Sequence, residues 1–354
     1  MAENMAEICL NISNAKRALF FAIGGGGDIV LTTMLALSYE RCGGIAFIGG
    51  VVWERYVVDP FPGPIRLSEF KNVDREGFGY IIVDSKSYAV RNGNIIVPQI
   101  AKIAKIINRP MYVFDIYEGP RKLANVLIDF IKSKDLDIII GVDVGGDSIA
   151  TGFEESLWSP LADSINVAAL AHIDNAYLAL ASPGADGELS TDYVLIRISR
   201  IAKLNGLIGG YVIGQKDVEV LKMLSKEAVS EASIAALKAF EGEHGKIYIR
   251  SGSRKVILTP LSLTIFILKA SIAARDSVAK FIYDADSLEE ARAILNSLNI
   301  YTELDLEEDI YKEISMGKKI DEINLCDIKE KGKRKLMWKH IMRIPRKNEN
   351  EYTS

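Results

Sequence analysis

Apolar runs of four to seven residues, interrupted only by Asp137 and by glycines, alternate with helical stretches along most of this chain. Runs of this kind are centred on residues 18–23, 44–48, 80–83, 111–114, 136–142 and 176–181. An apolar run without polar alternation is a strand covered on both faces, and helices between such strands imply parallel pairing through right-handed crossovers. The pattern predicts an α/β fold, a doubly wound and mostly parallel sheet with helices on both faces (Rossmann-like). Residues 1–300 read as one such domain. Residues 301–330 read as an acidic helical extension with one solvated face, and residues 331–354 as a basic C-terminal tail. A single long helix is expected over residues 216–240, and Ser287 with Glu290 forms a capping box for another.

The first strand and helix are joined by Gly24, Gly25, Gly26 and Gly27, followed by Asp28. Four glycines remove every side chain from the turn and allow positive φ at an entropic cost. One or two would suffice for turning. The surplus is understandable where a ligand approaches bare backbone, and amides at a helix N-terminus suit phosphate or carboxylate. The alternative is a tight turn with Asp28 as helix N-cap.

The run at 136–142 ends in a second loop, Asp143-Val144-Gly145-Gly146-Asp147. In open parallel sheets, ligands bind beyond the carboxyl ends of the strands. By that rule Asp28, Asp84, Asp115, Asp143, Asp147 and Asp186 gather on one edge. Clustered carboxylates repel, so they need a cation, a proton or a basic partner. Mg2+ or another divalent cation fits, because it takes oxygen ligands and bridges to phosphates. Asp143 and Asp147 are the expected catalytic and metal-holding pair, with Asp84 and Asp115 as further ligands. Gly145 and Gly146 join the glycine turn in binding the ligand. Glu154 and Glu155 rank below these, and Asp163 and Asp174 read as surface residues. The other reading is that the aspartates point apart and cap separate helices.

Familiar motifs fail. Ile29 breaks the dinucleotide-binding fingerprint, and the second strand ends in Gly49-Gly50 instead of an acidic ribose ligand. No Gly-Lys-Ser/Thr follows the glycines, and neither Ser85 nor Ser182 lies in a nucleophile elbow. His172, His244 and His340 lack zinc-ligand spacing. A net charge of −4 argues against general nucleic-acid coating. Residues 331–347 carry eight Lys/Arg and no Asp/Glu, so an RNA contact is confined to that tail; otherwise it is a frayed charged terminus. The apolar stretch 261–274 is too short to span a bilayer, and no basic segment precedes an apolar leader. Cys9, Cys42 and Cys326 suggest no disulfide framework, which fits a cytoplasmic protein.

The two loops resemble a family known as domain of unknown function 1152, found mainly in archaea. The resemblance rests on residues 22–28, on residues 141–147 and on Ser159-Pro160-Leu161-Ala162-Asp163, and it covers roughly residues 15 to 300. It implies that the two loops belong to one site and implies nothing about substrate. From the residues alone, the chain reads as an enzyme acting on a small phosphorylated metabolite or nucleotide. The rival is a non-catalytic module that senses a nucleotide or sugar phosphate in the same cleft.

Overall fold

The computed structural model describes residues 10, 12, 15–228, 230–250 and 252–343. The chain opens with β1 (Arg17–Ala22), α1 (Ile29–Arg41) and β2 (Ile45–Gly50). Short strands follow: β3 (Phe70–Lys71), β4 (Asp74–Gly77), β5 (Tyr80–Val83), β6 (Tyr88–Arg91) and β7 (Asn94–Ile96). Next come α2 (Gln99–Ile107), β8 (Met111–Phe114), α3 (Gly119–Ser133), β9 (Ile138–Val144), α4 (Pro160–Ala171) and β10 (Ala176–Ala181). The second half contains α5 (Thr191–Lys203), β11 (Leu207–Val212), α6 (Gln215–Leu224), α7 (Glu231–Phe240), β12 (Gly245–Ile249), β13 (Arg254–Leu258) and β14 (Thr264–Lys269). It closes with α8 (Ala270–Asp276), α9 (Leu288–Ser297), α10 (Glu303–Ser315) and α11 (Leu325–Arg343).

Nine strands form the main sheet in the order β11-β14-β10-β9-β1-β2-β8-β5-β4. The five central strands are parallel, and the chain winds outward from β1 in both directions. The expectation of a mostly parallel sheet needs correction, because the four outer pairings are antiparallel. At one edge β4 and β5 form a hairpin, and β5 runs against β8. At the other, β14 runs against both β10 and β11. A four-residue apolar run reads alike in either direction, so the fold is an α/β fold built on a mixed sheet.

Both faces of the sheet are covered. Along β1, Phe20 packs with α1, α2, α6 and α7, while Leu19 and Phe21 pack with α3, α4, α5, α8 and α9. β9 is buried at all seven positions, as its apolar run requires. The expected long helix at 216–240 is two helices. Its break leaves Ser230 to cap α7 by accepting from Ser233 N at 3.2 Å. Ser287 Oγ accepts from Glu290 N at 3.0 Å, as the capping motif implied, whereas the Glu290 carboxylate turns to Asp286 N. Cys42 is disulfide-bonded and Cys326 is free, which corrects the expectation of no disulfide. Among the described residues no helix is long and apolar enough to cross a membrane.

The acidic stretch after residue 301 is not one solvated face. Glu303, Leu304, Asp305, Leu306 and Ile310 of α10 are buried. Glu303 accepts from Leu161 N and Ala162 N at the start of α4. Glu307 accepts from Gly63 N at 2.8 Å and from Trp53 Nε1 at 2.9 Å, clasping the long loop after β2. Residues 331–343 continue α11, where Leu336 packs beside buried Ile328; residues 344–354 of the expected tail lie outside the described residues.

Burial raises Glu307 to about 7, against the lowering effect of its Gly63 and Trp53 bonds. The folded value lies above the ordinary one, so the folded protein takes up a proton. The associated stability is complete below the usual glutamate range and is lost as pH rises through 7. Unfolding midpoints in chelator should therefore fall from about pH 5 to about pH 8, and Glu307→Gln should flatten the fall. Identical slopes for the two proteins would contradict this assignment.

Candidate functional site

β1 and β9 pair in parallel, and Ile23 N donates to Val142 O at 3.1 Å, so the two glycine-bearing loops emerge side by side. This is the place where the winding of the central strands reverses, the crevice in which such sheets bind ligands. Asp28 follows the first loop. Asp143 is the penultimate residue of β9, pointing from a strand covered on both sides. Asp163 stands in the first turns of α4, whose residues from Pro160 to Leu170 are all buried. One oxygen from each of Asp28, Asp143 and Asp163 lies within 4.8 Å of the others. A second group, Asp147, Asp186 and Glu188, meets the same criterion. Asp147 accepts from Ser159 Oγ at 3.1 Å, and its charge acts on Asp143 and Asp163 of the first group as well as on Asp186 of its own.

The polar contacts separate the two groups. Glu188 is already satisfied: Ser159 Oγ and Arg254 Nη1 donate to Oε1 at 2.6 and 2.7 Å, and Trp158 N and Ser159 N donate to Oε2 at 2.6 and 3.1 Å. Burial pushes Glu188 up, but Arg254 and Arg250 outweigh it and hold the group at about 2. In the first group, Asp143 receives Ser148 Oγ on Oδ2, while Asp143 Oδ1 and Asp163 Oδ1 are buried with no hydrogen-bond partner. Asp186 Oδ2 is likewise unpartnered. A buried, unmatched carboxylate oxygen costs its full desolvation penalty.

Electrostatics agree with the geometry. Burial first, and the Asp28 charge second, raise Asp143 to about 8. Burial, then the neighbouring aspartates, hold Asp28 and Asp163 well above the carboxyl range. Burial also raises Asp147 and Asp186, followed by Glu188 for the former and Asp147 for the latter. Such a cluster is stable only with protons or a cation among its oxygens.

Glycine is required where the loops touch these carboxylates. A Cβ on Gly24 would lie 2.9 Å from Asp163 Oδ1, and Gly24 N donates to Asp28 Oδ2 at 3.1 Å. Gly145 has φ +123°, and a Cβ there would lie 2.7 Å from Asp186 Oδ1. Gly25 is exposed, and with Gly26 it borders a narrow pocket closed by Val51, Val52, Ile100 and Glu54. Gly26 N donates to Trp53 O at 2.9 Å, which draws the long loop after β2 against the glycine turn. Gly27 faces Ser230, and Gly146 has φ +111° under Val194.

Other expected residues stand elsewhere. Because β5 is antiparallel to β8, Asp84 emerges at the opposite edge of the sheet, exposed, where it accepts from Lys86 N at 2.8 Å. Asp115 lies on the correct edge but accepts from Tyr117 N at 2.8 Å and belongs to neither carboxylate group. Glu154 braces its own loop by accepting from Thr151 N and Tyr193 OH. Asp174 is exposed, as expected. Asp163, expected at the surface, is 3% exposed, which corrects that reading. Apart from Asp163, Ser164 and Asn166 its helix is apolar on every side, a signal of burial that was present in the sequence. Asn166, one turn on, fixes the approach to the glycine turn by donating from Nδ2 to Ile23 O at 2.6 Å. No short-range signal marked Glu188 or Asn166.

No curated protein and no solved structure matches the chain. The family described as "Protein of unknown function (DUF1152)" matches residues 19–311, a span that contains both loops, Asp163, Asp186 and Glu188. The resemblance carried by the two glycine-bearing loops therefore holds over most of the sequence, and the chain belongs to that family.

Proposed function

We propose that the cleft binds a divalent cation, Mg2+ in the first instance, between Asp28, Asp143 and Asp163. In this reading the cation and the glycine turn together hold a small phosphate-bearing molecule for phosphoryl-group chemistry. The observation that carries it is the pair of buried, unpartnered oxygens, Asp143 Oδ1 and Asp163 Oδ1, in a three-carboxylate group. Three carboxylate oxygens, with phosphate and water oxygens completing the shell, would match the preferences of Mg2+. Asp147 borders the group and is the candidate base or proton carrier, since burial and the neighbouring Glu188 and Asp143 favour its protonated form. The Gly25 and Gly27 amides at the start of α1 would donate to the phosphate oxygens, since Gly24 N and Gly26 N are already engaged. Phosphoryl transfer asks mainly for such positioning and charge compensation.

The test is titration of Mn2+ into chelator-treated protein, with Mg2+ as competitor, followed by a turnover panel of phosphate esters and nucleotides. Saturable Mn2+ binding displaced by Mg2+ is expected. Absence of binding at millimolar Mn2+ would end the cation reading. Metal binding with no turnover on any member of the panel would favour the sensing module over the enzyme.

A further inference from the structure

Asp28 and Asp163 stand against Gly24 at one end of the glycine turn, and Ser230 stands against Gly27 at the other. The break between α6 and α7 brings Ser230 against Gly27, with Ser230 Oγ 3.0 Å from the position of a Gly27 Cβ. The N-termini of α1 and α7 therefore converge, and both ends carry partial positive charge. Glu231, the first residue of α7, ties two further pieces to this corner. Its carboxylate accepts from Arg55 Nη1 and from Arg250 N, each at 3.1 Å.

Arg250 stands apart from its arginine neighbours. Arg254 is committed, with Nη1 donating to Glu188 Oε1 at 2.7 Å and its guanidinium over the Trp158 ring. Arg55 is paired with Glu231. The Arg250 guanidinium donates no hydrogen bond among the described residues, and its ion pair there is a long one, 4.0 Å to Glu188 Oε1. Its side chain is only 27% exposed, and its backbone is held at φ +52° in the turn after β12. Its contact with Glu188 places it beside the second carboxylate group, Asp147, Asp186 and Glu188. Burial first, and then repulsion from Arg254, lowers it to about 10. Glu188 already receives four hydrogen bonds on its two oxygens, so Arg250 supplies it with charge and with no hydrogen bond.

We propose that Arg250 is the phosphate-binding side chain of this cleft, gripping phosphate oxygens from its place beside Glu188. This deepens the proposed function and rests on it for the cation side of the ligand. A guanidinium presents five donors in a planar fork that matches phosphate oxygens, and an idle fork in a half-buried site is what such a ligand would fill. The cleft is then bipolar, with carboxylates for a cation and Arg250 with two helix N-termini for the anion bound to it.

The experiment compares full-length wild type with Arg250→Gln and Arg250→Lys by calorimetric titration of inorganic phosphate, with and without Mn2+. Mn2+ alone is titrated in parallel. Loss of the charge-assisted bonds should weaken phosphate about tenfold or more in Arg250→Gln. The lysine variant keeps the charge, guards against a folding defect, and should fall between the two. Mn2+ affinity should be unchanged or tighter in Arg250→Gln, because a nearby positive charge is gone. Equal phosphate affinity in wild type and both variants, or no phosphate binding by wild type, would overturn the assignment. Phosphate binding that depends on Arg250 in a protein that takes up no Mn2+ would leave this assignment standing and defeat the cation reading.

Discussion

Asp143→Asn is expected to abolish most of the stabilisation that divalent metal gives to this protein while leaving the fold intact. Asn keeps the size of the side chain and can still meet Ser148 Oγ, but it removes one charge from a group whose oxygens lie within 4.8 Å. Metal at a hundred times its dissociation constant should stabilise wild type by about 2.7 kcal/mol, and the variant by much less. In chelator the order should reverse, with the variant at least as stable as wild type, because one member of a repelling set is gone. If Asp143 were only a turn residue, its replacement would cost about 1 kcal/mol whether metal were present or not. Thermal melts of both proteins in EDTA and in millimolar Mg2+ or Mn2+ separate these outcomes. Equal metal response in the two proteins would remove Asp143 from the site.

Gly145→Ala should be among the most damaging single-methyl substitutions in the chain. At φ +123° an L-residue is strained, and the added Cβ would sit 2.7 Å from Asp186 Oδ1. That contact is with a short, buried side chain that has little freedom to retreat. Backbone strain and overpacking together should cost roughly 2–5 kcal/mol. Gly43→Ala is the control, since Gly43 also has positive φ (+86°) but nothing within 4 Å of the added Cβ. It should lose about 1 kcal/mol from backbone conformation alone. Denaturant midpoints at constant slope measure the difference. A loss at Gly145 no larger than at Gly43 would show that Asp186 yields easily, and with it that the carboxylate packing is loose.

The two loops of the site were legible because each is a short-range pattern: an apolar strand, glycines, then an aspartate. The strand–turn–helix at 17–41 and the strand ending at Val144 follow from that pattern with errors of a residue or two. Asp84 shows where the reasoning stops. It follows an apolar strand just as Asp143 does, but β5 is antiparallel to β8, so the aspartate leaves at the wrong edge. Glu54 lies in the long loop after β2, where no short-range pattern marks it, yet it is 4% exposed, accepts from Gln99 N at 2.7 Å, and is raised by burial to about 7. Arg250 lies 222 residues from Asp28 in sequence, and nothing local to it announces a cleft.

By itself, then, the sequence determined which segments become buried strands, which turns must be bare, and that two aspartate-bearing turns follow neighbouring apolar strands. Those properties depend on apolar periodicity and on backbone sterics over a few residues. Tertiary structure alone decided which carboxylates meet. It sent Asp84 away, brought Asp163 in on a helix buried on all sides, neutralised Glu188 with Arg254, and set Arg250 beside Glu188. The physical reason is that charge interactions depend on distance and burial, and both are set by strand direction and helix packing between segments far apart in the chain.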